Sequence, residues 1–385
     1  MRQQSGARIP AVTLACPDPD AYTDPSRPHP KEAVVLSEFG PSTWLAVFLG
    51  AALAVVAFVP VAAHRYRAAG RLRLLDLIVL LLVAMYSMAL WTYTLVPIPE
   101  NDDFRCVGAN FTPFAFVADI AADGRSPLAN RAFLQAAFNI VLFLPLGFFL
   151  RTLTRRGVVT ATLIGLAVSL AIEFTQRTGI WGLYHCAYRT FDVDDLILNT
   201  AGALAGSLLA LPTLHLLQRR RPAPPVTQVS LGRRWTGMLV DLLVITGVGV
   251  SLTIGWRVIA LGVLQWQFDE LPGWVDQLLL TGVPLLVEAW WVLGRGQTVG
   301  EDVVRLEPVA ADGARTRSRW IKLAAGVGGY LVLTSDLIGT ALPGQLLALA
   351  TVVFAIRSRN HRGLSHIAAG MELRIERPDD AAQNG

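Results

Sequence analysis

The chain has 385 residues, of which 53% are hydrophobic and only 16% charged, with a mean hydropathy of +0.47. Soluble globular domains carry about 25% charged residues, so that class is excluded and a polytopic membrane protein is expected. The net charge of +4 reflects arginines grouped in alternate loops, which reports membrane topology rather than nucleic-acid binding.

The first 42 residues are rich in Pro, Asp and Ser and lack a basic segment leading directly into an apolar run. They read as a disordered extracytoplasmic tail, not a cleavable signal peptide. Apolar runs near the ~20 residues needed to cross a hydrocarbon core follow at 43–63, 74–96, 134–150, 158–176, 194–214, 236–256, 275–293 and 320–342. A shorter run at 345–356 is either a ninth span or a tilted or re-entrant segment. Strand alternation is absent, so the expected fold is all-α: a polytopic helical membrane protein with eight or nine transmembrane helices. Arginines cluster at 65–73, 151–156, 219–234 and 295–319, after every second span. The positive-inside rule then places the N-terminus and the loops 97–133 and 177–193 outside. A basic, Pro-rich linker at 215–232 separates a membrane domain at 43–214 from another at 233–375, and a tail at 376–385 follows.

Polar residues inside or at the mouth of such helices are costly, and by default they mark a site. Asn139 falls in the outer third of the third span, and Glu173 and Gln176 share one side of the fourth at the same face. Asp192, Asp194 and Asp195 open the fifth span, where Asp195, Asn199, Gly202 and Gly206 form one stripe. Arg189 is the nearest counter-charge. Blander roles compete: Asp192 or Asp194 as an N-cap, and Asn139, Glu173 and Asn199 as interhelical hydrogen-bonding groups. Cys106 and Cys186 lie in the outer loops that flank the acids, and a bridge between them would tie those loops over the cluster, although disulfide geometry is not legible in sequence. His185 beside Cys186 has no second ligand pair at zinc spacing, so no metal site is expected.

The ordered blocks NFTPF (Asn110 to Phe114), NIVLFLPLGFFL, SLAIEFTQ, Arg189 and FDVDDLILNTAGALAG resemble the VanZ-like family of bacterial membrane proteins over residues 74–212. The resemblance implies a role at the cell envelope and a link to teicoplanin resistance. It marks Asn110, Asn139, Glu173, Gln176, Arg189, Asp192, Asp194, Asp195 and Asn199 as candidate ligand-binding residues.

In the C-terminal half, Arg234 and Asp241 lie seven residues apart at the cytoplasmic start of the sixth span, and Glu288 lies seven before Arg295 at the end of the seventh. Asp241 and Glu288 should therefore sit at matched depth, about 10 Å from that surface at 1.5 Å per residue. Matched buried acids suit a cation or proton; pairing of each with an arginine at the membrane edge is the competing role. The blocks RRWTGMLVDLLV, GQTVGEDVVRLEPVAADG and RGLSHIAAGMEL resemble the RDD family over 230–375. Arg234 and Asp241 match its first two signature positions, but His366 stands where the family has its second Asp, which puts cation chemistry implied by that family in doubt. VVRLEPV reads as part of a small cytoplasmic hairpin.

The expected function is non-enzymatic: a multi-pass protein of the cell membrane whose outer pocket binds a cell-wall-related ligand or lipid, with no catalytic residues, cofactor or nucleic acid involved. The alternative is an ion- or proton-coupled transporter using Arg234, Asp241 and Glu288. An enzyme with Glu173 and Asp195 as an acid/base pair lacks any nucleophile motif or phosphate loop.

Overall fold

The computed structural model describes residues 34–96, 104–218, 228–310, 315–335 and 338–376. The expected tails at 1–33 and 377–385, with Cys16, and linker residues 219–227 lie outside the described residues. The first helix, α1 (Val34–Ala69), begins within the stretch read as an outer tail. Gly70, with φ +64°, turns the chain into α2 (Leu74–Leu95), and Asp76 secures the turn by accepting from Arg73 N at 2.9 Å and pairing with Arg65 at 2.7 Å.

Then come β1 (Ala109–Asn110), α3 (Ala115–Asp123), α4 (Arg131–Thr154), α5 (Val158–Arg177), a short turn α6 (Gly179–Gly182), β2 (Phe191–Asp192), α7 (Val193–Leu209) and α8 (Leu211–Gln218). The second half comprises α9 (Leu231–Val258), α10 (Gly273–Gln277), α11 (Val283–Arg295), α12 (Val299–Val303), β3 (Leu306–Ala310), α13 (Arg315–Ala324), α14 (Val327–Leu333), α15 (Leu342–Arg357), α16 (Leu364–Ala368) and β4 (Met371–Ile375). Among the described residues, seven helical stretches are long and apolar enough to cross a membrane. Their outward faces carry large apolar side chains such as Phe48, Leu163 and Trp290, as lipid-facing helices should.

The count differs from expectation at the C-terminal end. The run 320–342 is broken at Gly326, whose backbone (φ −120°, ψ −133°) is not helical. A Cβ there would fall 2.7 Å from Lys322 O and 3.2 Å from Ser365 Cβ of α16, so the backbone's own close return on Lys322 requires the glycine. The result is a polar α13, a short α14, and α15, on which α14 packs. The local cytoplasmic hairpin is also not formed. β3 instead pairs antiparallel with β4, Leu306 opposite Ile375 and Ala310 opposite Met371. GQTVG is the entry to α12, where Thr298 and Glu301 form a capping box.

α7 is the pivot of the first half, packed on α4 and α5. A Cβ on Gly202 or Gly206 would overlap the carbonyl oxygens of Ile140 and Leu144, and one on Gly147 that of Ala203. Only glycine permits this backbone-to-backbone contact. Leu90, Phe143 and Ile172 join α2, α4 and α5 in a buried cluster.

Candidate functional site

Two short strands assemble the face opposite the basic loops. β1 pairs in parallel with β2, Ala109 opposite Phe191 and Asn110 opposite Asp192, and Val107 N donates to Ala187 O at 3.1 Å. The Cys106–Cys186 disulfide lies along the same seam, so the bridge left open by the sequence is made. Cys106, Cys186 and His185 bring ligand-type atoms within 4.8 Å of one another, a trio passed over in the sequence. Bonded to each other, the two sulfurs have no thiolate to offer a metal.

Asp192 ends β2 and caps α7, accepting from Asp194 N at 2.9 Å and from Asn110 Nδ2 at 3.3 Å. Its own N–H donates to Glu173 Oε2 at 3.1 Å. The buried Asp194 caps a different helix: it accepts from Phe114 N and, at 3.0 Å, from Phe116 N, serving the start of α3. Phe114, the residue before α3, holds φ +63°, a conformation that this carboxylate helps to fix. Asn139 Nδ2 donates to Asp195 Oδ1 at 2.5 Å. Asn199 Nδ2 donates to Ser169 Oγ at 2.9 Å inside the bundle, while its Oδ1 lacks a partner among the described residues.

Gln176 and Arg189 hydrogen-bond elsewhere, although the Arg189 guanidinium stays within electrostatic range of Glu173 and Asp195. Both donate to Thr94 O, at 2.6 and 2.8 Å, and Tyr188 OH donates to Leu95 O at 3.1 Å, so together they serve the orphan carbonyls at the end of α2. Among the described residues Arg189 makes no ion pair.

A cleft of about 70 Å³ opens beside the seam. Asn110, Asp192, Asp194 and Asp195 line it, and Asn139, Glu173, Gln176, Arg189 and Asn199 do not. Asp119 of α3 and Gln135 of α4 complete its polar lining, and Phe116 and Leu198 are among the apolar residues beside them. Asp119 and Gln135 were missed, because neither belongs to a motif, and only the folding of α3 over α4 brings them to the acids. With carboxylates and amide oxygens around it, the cleft favours amino, hydroxyl or cationic groups over anions.

A second buried network centres on Glu301. Arg234 Nη1 donates to Oε1 at 2.7 Å, Lys322 Nζ pairs with Oε2, and His366 Nε2 stands 2.8 Å from Oε1. Burial opposes the charge, yet Lys322, His366 and Arg234 hold the Glu301 carboxyl well below its usual range. Burial pushes His366 down to about 4, with Arg234 adding to the effect against Glu301. Asp241 accepts from Thr298 Oγ1 at 2.8 Å and from Gly300 N. Glu288 is fully buried, and neither oxygen has a side-chain hydrogen-bond partner among the described residues. The pairing of Asp241 and Glu288 with edge arginines is therefore not made: Arg234 serves Glu301, and Arg295 pairs with Asp302 at 3.1 Å. Glu301 and Lys322 escaped the sequence reading because one looks like a capping-box acid and the other like a cation of a polar loop.

Residues 76–217 match the family described as VanZ/LLP1. No curated protein and no solved structure matches the chain. The matched stretch runs from α2 into α8 and contains every outer-face residue above, while the Glu301 network lies beyond it. The chain is thus a multi-pass helical membrane protein whose first half carries a VanZ/LLP1-like segment.

Proposed function

We propose that this protein is a non-enzymatic component of the bacterial cell envelope that binds a cell-wall-related ligand or lipid at the outer cleft, and that it thereby contributes to glycopeptide resistance of the teicoplanin type. The observation that carries this reading is the acceptor-lined cleft at the β1–β2 seam, within the VanZ/LLP1-like segment and beneath the disulfide. The ligand group entering it presents amino or hydroxyl donors to Asp119, Asp192 and Asp195. In a strain that depends on this gene, Asp195→Ala and Gln135→Ala at normal membrane abundance lower teicoplanin resistance to the level of the deletion. Unchanged susceptibility with both variants rules the reading out.

A second reading, an ion- or proton-coupled transporter in the RDD-like half, is favoured by one feature: Glu288 is fully buried without a side-chain hydrogen-bond partner among the described residues, and it lies within electrostatic range of Asp241. His366 in place of the family's second acid speaks against it. Proteoliposomes that show no flux driven by pH or sodium gradients dispose of this reading.

A further inference from the structure

The seam beside the outer cleft carries a second set of groups that the acids do not use. Cys106, Cys186 and His185 bring their ligand-type atoms within 4.8 Å of one another, and His185 Nε2 stands 3.6 Å from Cys106 Sγ. A tetrahedral zinc-class ion, about 2.3 Å from a thiolate and about 2.0–2.1 Å from an imidazole nitrogen, holds those two ligands about 3.5 Å apart. The imidazole therefore already stands at the separation that coordination requires. Phe104 packs against it, with ring centroids 5.0 Å apart. Cys106 and His185 are exposed and Cys186 is half-buried, so a reductant and an ion can both reach the trio from the surface.

The disulfide is what withholds these sulfurs, and the seam has other ties besides it. Val107 N donates to Ala187 O, one residue beyond each cysteine, Ala109 and Asn110 pair with Phe191 and Asp192, and Phe111 packs on Phe191. With the bridge opened, Cys106 and Cys186, whose Cα atoms lie 5.7 Å apart, are kept side by side by those contacts. Opening takes two electrons and two protons: an external dithiol is oxidised to its own disulfide, and the Cys106–Cys186 bond becomes two thiols. A metal ion then displaces both thiol protons and takes the imidazole as its third ligand. No other His, Cys, Asp or Glu joins the trio among the described residues, which leaves the fourth position to water.

We propose that the reduced seam is a binding site for a thiophilic divalent ion of the zinc class, held by Cys106, Cys186 and His185. The two outer loops are then tied by the disulfide in the oxidised protein and by the metal in the reduced one. The full-length protein carrying Cys16→Ser, which removes the third thiol, is reduced with a phosphine in maltoside detergent, freed of it without air and titrated with cobalt(II). About one ion per chain binds with a thiolate-to-cobalt charge-transfer band, zinc displaces it, and the oxidised protein gives no such band. His185→Ala keeps both thiols and weakens cobalt binding by about tenfold or more, since the loss of even an outer-shell partner costs about 10–100-fold. If gel filtration shows the reduced protein to be aggregated, protection of Cys106 and Cys186 from iodoacetamide by zinc is measured in reduced membranes instead. Absence of both the band and the protection, or metal binding unchanged in His185→Ala, overturns the proposal.

Discussion

At the scale of single residues, Glu301 ties together three buried nitrogen-bearing side chains. It is the one carboxylate shared by Arg234, Lys322 and His366, all of them buried. Removing one member of such a set strands the others in a low-dielectric interior, at a cost of about 3–5 kcal/mol. Glu301→Gln should therefore lower the thermal unfolding midpoint in detergent sharply, with little change in side-chain volume. The pH dependence has a defined sign. Glu301 is depressed on folding, so its contribution is present above its unfolded value near 4.5 and is lost as pH falls further. His366 is held neutral down to about 4, whereas the unfolded chain takes up that proton below its usual 6.5. The native state thus weakens as pH falls from 6.5 towards 4, and His366→Asn should flatten the upper part of that decline. A variant with the wild-type slope would contradict the neutral assignment.

At the scale of elements, the helix contacts that matter are those where backbone meets backbone. Gly206 of α7 lies on Leu144 O of α4, and a carbonyl oxygen cannot rotate aside as a side chain can. Gly206→Val should therefore destabilise by about 1–3 kcal/mol or more, while Gly157→Val, where an added Cβ meets nothing within 4 Å, serves as the matched control. Equal unfolding midpoints for the two variants would show that α4 and α7 can separate at no cost. This stripe was legible in the sequence because helical spacing repeats, and so was the N-cap role of Asp192. β1 and β2 were not, since strands of two residues have no periodicity and their partners lie 82 positions apart. The same applies to β3, whose partner comes from the end of the described chain rather than from the neighbouring turn. Gln176 looked like a member of the acidic site because depth along a helix was visible and direction around the bundle was not, and Arg189 because a loop cation near the acids reads as their counter-charge while its hydrogen bond to Thr94 O is not legible in sequence. The eighth apolar run misled for a related reason: hydropathy registers composition, and the non-helical backbone at Gly326 leaves no trace in it.

At the scale of the whole molecule, the boundary expected at the linker does not divide the packing. α1 pairs with α2, α2 contacts α4 and α5, and α1 also packs on α9 and α12. Ala62, fully buried, sits with Phe58 and Val240 in one cluster. Tyr66 joins Val304, Leu306 and Leu373 in another and lies under the Arg233 guanidinium at 5.1 Å. Arg233 also donates to Gly70 O at the end of α1 and to Val304 O at 3.0 Å. These contacts hold the halves together through buried apolar surface and a satisfied cation, neither of which needs the intervening linker to be intact. Fragments 1–218 and 228–385, co-expressed, should therefore copurify in mild detergent. Ala62→Trp, which forces an indole into the α1–α9 contact, should abolish copurification, whereas Trp44→Ala, at a position 74% exposed, should leave it unchanged. Fragments that separate without any substitution would mean that the two halves are held only by the chain between them, and that the outer cleft and the Glu301 network cannot influence one another through α1.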